Sequence, residues 1–284
     1  DRRIRMRLKK AGALMLKMTE IILLLFIWLT GACVFSFADA AAWRMSRGMD
    51  FINDRSRCDS CGHVLAFWET IPVVGWILCR GRCRCCGRPV SLRHMAAELI
   101  GGGAALLCAD RMGISLESVW MLAFLGILMT AALVDLDTME IPEGIHCVIL
   151  VLTALSFLSR YIGLGNPEIL AADSFELSLL SRAAGALCVS VPMLLLTAAV
   201  PGAFGGGDIK LSAVCGLFLG WKGILMSMIF AVLSAGAWGG ILLAGRKAGR
   251  KDHFAFAPFL CAGVFVSVFW GEEIWNWYRT ILMI

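Results

Sequence analysis

Two short stretches of this chain set carboxylates beside apolar segments. In Pro201-Gly-Ala-Phe-Gly-Gly-Gly-Asp208-Ile-Lys210, Asp208 follows three glycines between runs apolar enough to cross a bilayer. In Asp135-Leu-Asp137-Thr-Met-Glu-Ile-Pro142 the acids close another apolar run. An acid so placed is costly unless it has a partner or a task. Two carboxylates at similar depth are the minimum equipment of an aspartic protease. Close together they cannot both ionise, so the pair holds one proton. The ionised member draws a proton from water, the water attacks a peptide carbonyl, and the protonated member donates to the carbonyl oxygen. Gly205, Gly206 and Gly207 would let a substrate backbone approach Asp208. Lys210 reads either as a nearby positive charge or as a contact to lipid headgroups. Two other readings fit the same residues: helix capping, for which aspartate is well suited, and the acid-lined pathway of a metal transporter.

The twelve cysteines fall into two groups. Cys58-Asp-Ser-Cys61 and Cys83-Arg-Cys85-Cys86 form two C-x-x-C knuckles, with the spacing of a tetrahedral four-thiolate zinc site. Gly62 and Gly87 follow directly and suit the tight turns such knuckles need. The competing reading is a pair of disulfides, which requires an oxidising compartment. The nine arginines across residues 43–93 mark the loop as cytoplasmic and argue for metal. Cys79 and Cys85 are spare, and Cys85 competes with its neighbour for the ion. Cys33, Cys108, Cys147, Cys188, Cys215 and Cys261 stand singly in apolar runs and read as small buried hydrophobes.

The elements that must carry these residues are apolar helices. The chain is 59% hydrophobic and only 17% charged, against about 25% in soluble domains, which makes it a polytopic membrane protein. Runs near the length needed to span a bilayer cover about 21–42, 95–109, 114–134, 145–158, 183–200, 211–219, 224–244 and 254–270. The expected fold is an all-α polytopic membrane protein with about eight transmembrane helices and a small cytoplasmic four-cysteine, zinc-type domain between the first two. Its divisions are a basic N-terminal segment at 1–18, the first transmembrane helix at 19–42, the cysteine-rich domain at 43–93 and a transmembrane domain at 94–284. The first segment resembles a signal peptide, but its apolar run is too long and a polar domain follows. The chain opens on Asp1 without a methionine, as a trimmed start would. Glu98, in the second run, reads equally as a snorkelling side chain or a functional acid.

Charge orients the runs. The stretch with Glu168, Asp173 and Glu176 reads as external, and the basic stretch from Arg246 to Lys251 as cytoplasmic. With the cysteine loop inside, eight crossings put the Asp135 and Asp208 loops on that same side. The basic N-terminus is discordant with this count: either the cysteine loop's nine arginines outweigh it or residues 1–17 lie along the membrane surface as a basic helix. Membrane lipids are expected neighbours, and the net charge of +5 gives no reason to expect nucleic acid.

Gly205-Gly-Gly207-Asp208-Ile-Lys210-Leu resembles the G-x-G-D signature of intramembrane aspartic proteases. Asp135-Leu-Asp137-Thr-Met-Glu-Ile-Pro142 is similar to the paired acidic motif of the type IV prepilin peptidases. Ser56-Arg-Cys58-Asp-Ser-Cys61, Ile71-Pro72, Arg80-Gly-Arg-Cys83-Arg-Cys85-Cys86-Gly-Arg-Pro-Val-Ser91 and Glu98 resemble that family's cytoplasmic domain. Phe256-Ala-Pro258-Phe-Leu resembles its late proline motif. The resemblance implies an enzyme of the bacterial inner membrane that removes the basic leader of type IV prepilins or pseudopilins, cutting after glycine at the cytoplasmic face. It also implies N-methylation of the new N-terminus with S-adenosylmethionine. Carried over by position, Asp135 and Asp208 are the catalytic acids, with Asp137, Gly205, Gly207, Lys210 and Glu98 in support and Cys58, Cys61, Cys83 and Cys86 holding zinc. Phe35-Ser-Phe-Ala-Asp39 departs from the family's Gly-Ser-Phe-x-Asn segment, which leaves methylation less secured than proteolysis. A presenilin-like protease shares the acids without predicting the cysteine domain. A metal transporter explains the cysteines but not two acids beside glycines and proline at one face.

Overall fold

In a bilayer every backbone polar group must be satisfied within the segment, so apolar runs of this length fold as helices. A computed structural model describes residues 2–50, 55–162, 179–200, 202–245 and 254–282. Its helices are α1 (Arg2–Met45), α2 (Val74–Leu78), α3 (Leu92–Met112), α4 (Leu116–Thr138), α5 (Glu143–Tyr161), α6 (Leu179–Cys188), α7 (Ser190–Ala199), α8 (Gly206–Ala244) and α9 (Ala257–Leu282), with a 3-10 turn at Phe67–Glu69. Among the described residues the only extended pairings are two isolated bridges, Arg57 with Val64 and Arg82 with Pro89.

Among the described residues, five helical stretches are long and apolar enough to cross a membrane: Leu14–Met45, Leu116–Thr138, Leu179–Ala199, Gly206–Ala244 and Ala257–Ile281. Glu143–Ser159 is apolar but shorter, and α3 carries Arg93, Glu98, Asp110 and Arg111. All eight apolar runs lie largely on these helices, with two differences from the expected division. The runs at 211–219 and 224–244 are limbs of a single 39-residue element, α8, broken at Gly220 where φ is 79° and ψ is 175°. Unbroken, it would be about 58 Å long, far more than a bilayer core requires. The opposite happens at residues 179–199. Pro192 clashes with the carbonyl four residues before it, which belongs to Cys188, and α6 ends there. Glu168, Asp173 and Glu176, and the basic stretch Arg246 to Lys251, lie outside the described residues.

By compactness the chain divides into Asp1–Phe37 with Arg55–Asp110, and Ala38–Asp54 with Arg111–Ile284. In the first unit α1 and α3 meet through glycine. A Cβ on Gly31 would lie 2.2 Å from the Gly101 carbonyl oxygen, and one on Gly102 2.3 Å from the Trp28 indole nitrogen. The outer side of α1 is apolar and bare: Ile21, Ile22, Leu25 and Phe26 are each at least 59% exposed, a surface suited to lipid rather than water.

The second unit packs in the same way. A Cβ on Gly185 (α6) would lie 2.4 Å from the Gly216 carbonyl oxygen on α8, and one on Gly263 (α9) 2.2 Å from the Ser227 carbonyl oxygen. Small residues let membrane helices approach this closely, so that dispersion and buried hydrogen bonds replace the hydrophobic effect. Ser267 Oγ donates to the Gly223 carbonyl at 2.9 Å, and Phe124 stacks on Phe218 at 4.0 Å. Where Gly220 interrupts α8, the buried Arg182 donates through Nη1 to the Leu217 carbonyl at 3.2 Å.

Candidate active site

Asp208 is the third residue of α8, and Gly205 is that helix's N-cap. An acid at this position can reach back to the cap's own N–H. The Asp208 carboxyl does so, accepting from the Gly205 N–H. A Cβ on Gly205 would crowd Asp208 Oδ2 at 3.1 Å, and one on Gly207 would press on Ile141 Cβ at 3.2 Å. Nothing among the described residues lies within 4 Å of a Cβ on Gly206. Asp208 is 9% exposed, and its Oδ1 is buried with no hydrogen-bond partner among the described residues.

Asp135 lies in the last turn of α4, where the helix dipole disfavours negative charge. Its support comes from another helix: Oδ2 accepts the Ala257 N–H at 3.0 Å. Ala257 is the first residue of α9 and fully buried, so the acid faces the favourable positive end of that dipole. Asp135 is 4% exposed, and its charge acts directly on Asp208. Both aspartates therefore do cap helices, one in the first turn of α8 and the other at the start of α9. Cys261, one turn beyond Ala257, lies within electrostatic reach of both acids and donates to the Leu128 carbonyl at 3.3 Å.

Asp137 points elsewhere: it is exposed and accepts from Ser46 Oγ at 3.3 Å. Lys210 is ion-paired with Glu143, both side chains well exposed. His146 links α5 to the same turn of α8, with Nε2 3.2 Å from the Gly207 carbonyl oxygen. Ala257, Glu143 and His146 carry no catalytic signature in sequence. The one available signal was a polar His146 at the start of an apolar run.

In the first unit the two knuckles repeat one local fold. Cys58 and Cys83 accept through their carbonyls from the Gly62 and Gly87 N–H groups, both at 2.9 Å, and donate through their own N–H groups to the His63 and Arg88 carbonyls. Gly62 and Gly87 have φ of 70° and 69°, which only glycine adopts at little cost. The four sulfurs of Cys58, Cys61, Cys83 and Cys86 lie within 4.8 Å of one another, with Cys58 to Cys86 and Cys61 to Cys83 both 3.9 Å. Tetrahedral zinc with bonds of about 2.3 Å sets its sulfurs about 3.8 Å apart, whereas a disulfide needs about 2.05 Å. The donor set and its size fit a zinc ion. N–H groups of Cys86 and then Cys85 bond the Cys83 sulfur and bring its thiol down to about 6, so thiolate is available at neutral pH. Cys79 and Cys85 stand outside the cluster; Cys79 donates to Glu69. Among the single cysteines, Cys108 and Cys215 are buried, Cys188 and Cys261 half-buried, and Cys33 and Cys147 exposed. Glu98 is held within the first unit: it accepts from the Val73 N–H at 2.7 Å and from Ser36 Oγ at 2.8 Å.

The profile of the type IV leader peptidase family matches residues 122–240, and that of the bacterial peptidase A24 N-terminal domain matches residues 29–112. A prepilin leader peptidase/N-methyltransferase of Bacillus subtilis (strain 168) is 30% identical over 256 residues, 90% of this chain and 98% of the relative. One from Myxococcus xanthus (strain DK1622) is 35% identical over 236 residues, 82% of this chain and 68% of the relative. The chain belongs to the type IV leader peptidase family. A further relative of that description, from Legionella pneumophila, is 28% identical over 227 residues, 79% of this chain and 75% of the relative. No solved structure matches the chain. The leader peptidase match contains both buried aspartates, and the N-terminal match contains the four clustered cysteines and Glu98.

Proposed function

We propose that this multi-pass membrane protein is an aspartic endopeptidase that removes the leader of type IV prepilins or pseudopilins, with Asp135 and Asp208 as its catalytic acids. The observation that carries the reading is that two buried aspartates from different helices are each held by a helix-terminal N–H, with the charge of Asp135 felt at Asp208. One acid is ionised and takes a proton from water as the water oxygen bonds to the scissile carbonyl carbon. The other is protonated and gives its proton to the carbonyl oxygen. Breakdown of the tetrahedral species returns a proton to the leaving amine and restores the pair. Asp208 Oδ1, without a hydrogen-bond partner among the described residues, suits an approaching peptide.

In this reading residues 94–284 form the peptidase domain, 43–93 the cytoplasmic cysteine domain, and 19–42 the first membrane helix behind the basic segment 1–18. The bacterial inner membrane is the location, lipids surround the apolar helices, and nucleic acid has no role. Cys58, Cys61, Cys83 and Cys86 hold zinc, which cross-links their domain and takes no part in hydrolysis. N-methylation of the new N-terminus is the second activity, supported by the relatives' descriptions. S-adenosylmethionine is its methyl donor, and we assign it no residues. The decisive experiment incubates detergent-purified protein with a prepilin and follows leader loss by mass. Wild type cleaves and Asp208→Asn does not; undiminished cleavage by Asp208→Asn sinks the mechanism. A mass gain of one methyl on the mature pilin tests the second activity.

A further inference from the structure

His146 lies in the first turn of α5 and is 5% exposed. A carbonyl oxygen only accepts, so Nε2, 3.2 Å from the Gly207 oxygen, carries the ring hydrogen. In the neutral ring Nδ1 is then a bare acceptor. It is buried without a hydrogen-bond partner among the described residues, facing Glu143 Oε2 at 3.9 Å, beyond hydrogen-bond length. A ring that only filled space would do so better without that unsatisfied nitrogen. What it gains is the contact to Gly207, the residue joined directly to Asp208.

That contact bears on the site through peptide planarity. The Gly207 carbonyl and the Asp208 nitrogen belong to one rigid plane. Gly206 and Gly207 open α8, so the Gly207 carbonyl belongs to the helix's first turn. Glycine's wide backbone freedom makes that turn weakly held by its own ladder, and a second donor on the carbonyl steadies the plane. We infer that His146 is a positioning residue: its Nε2–H holds the Gly207 carbonyl, fixing the Gly207–Asp208 peptide plane and with it the direction in which Asp208 meets Asp135. His146 touches neither the substrate nor the reacting carboxyl groups. The inference rests on the peptidase reading above.

The test compares two side chains of similar length. In His146→Gln the amide N–H reaches about as far as Nε2–H, whereas His146→Met fills the space and donates nothing. Both are purified as full-length protein, matched for elution volume and thermal midpoint, and assayed for prepilin cleavage. We expect His146→Met to lower kcat about tenfold or more with KM within about twofold, because small misplacements of a catalytic group are costly. His146→Gln recovers kcat to within about threefold of wild type. Wild-type kcat in folded His146→Met, or a Gln variant no better than Met, overturns the inference. Should the Met variant not fold, His146→Asn, whose amide is too short to reach Gly207, takes its place. Asp208→Asn in the same preparation separates the two questions. If it cleaves like wild type the peptidase reading falls and the inference with it; if it is inactive and His146→Met is not impaired, only the inference falls.

Discussion

Asp135 and Asp208 are held by one device used from opposite ends of their helices. Asp208 begins α8 and folds back on its own cap, while Asp135 ends α4 and borrows the first N–H of α9. An acid bonded by backbone N–H groups keeps its orientation without a second charged side chain beside it, which leaves its outer oxygen for chemistry. Asp137 shares the motif but is exposed and bonded to Ser46. Asp135→Asn is therefore expected to lower prepilin cleavage at least about 100-fold, and Asp137→Asn to leave it within about tenfold of wild type. The reverse order in a cleavage assay would assign the first acid to Asp137. The two acids were legible as candidates because their glycine and proline neighbours are contiguous with them. His146 was not, since its partner Gly207 lies 61 positions away.

At the scale of elements, glycine decides how close the helices come. Gly185 and Gly216 oppose each other so tightly that a Cβ on Gly216 would sit 2.1 Å from the Gly185 carbonyl oxygen, backbone against backbone. Neither helix can rotate a side chain out of the way. Gly216→Val is expected to destabilise the protein by about 1–3 kcal/mol, seen as a lower thermal midpoint in detergent. Gly236→Ala, on the same helix with nothing among the described residues within 4 Å of its Cβ, is expected to stay near wild type. Equal midpoints for the two variants would mean that α6 and α8 do not pack in this way. The existence of these helices is plain from apolar runs, since length and hydropathy are local properties. Whether 211–219 and 224–244 are separate helices or limbs of one is not. Gly220 permits a break, but the surrounding packing decides that it occurs.

At the scale of the molecule, the chain joins a unit built on apolar helices to one that includes a small polar loop. A loop of this size buries too little apolar surface to hold itself together, and a metal cross-link is the usual remedy. The protein purified under reducing conditions is expected to carry about one zinc ion per chain. Cys58→Ser abolishes that content, while Cys79→Ser and Cys85→Ser retain it, because their sulfurs lie outside the cluster. Metal analysis of the four proteins decides the matter; zinc lost with Cys85 and kept without Cys58 would redraw the ligand set.

By itself the sequence determined that this is a helical membrane protein with two acidic motifs and a four-cysteine cluster. Each of those features is written in spacings of a few residues, and short spacings survive any arrangement of the rest. Only the tertiary structure decided what holds each acid. Asp135 takes its hydrogen bond from Ala257, 122 positions along the chain, and no local rule relates the end of one helix to the start of another so distant. The same holds for the glycines. Sequence marks them as permissive, but packing reveals that Gly205 makes room for the Asp208 carboxyl, Gly216 for a neighbouring backbone, and Gly206 for nothing among the described residues.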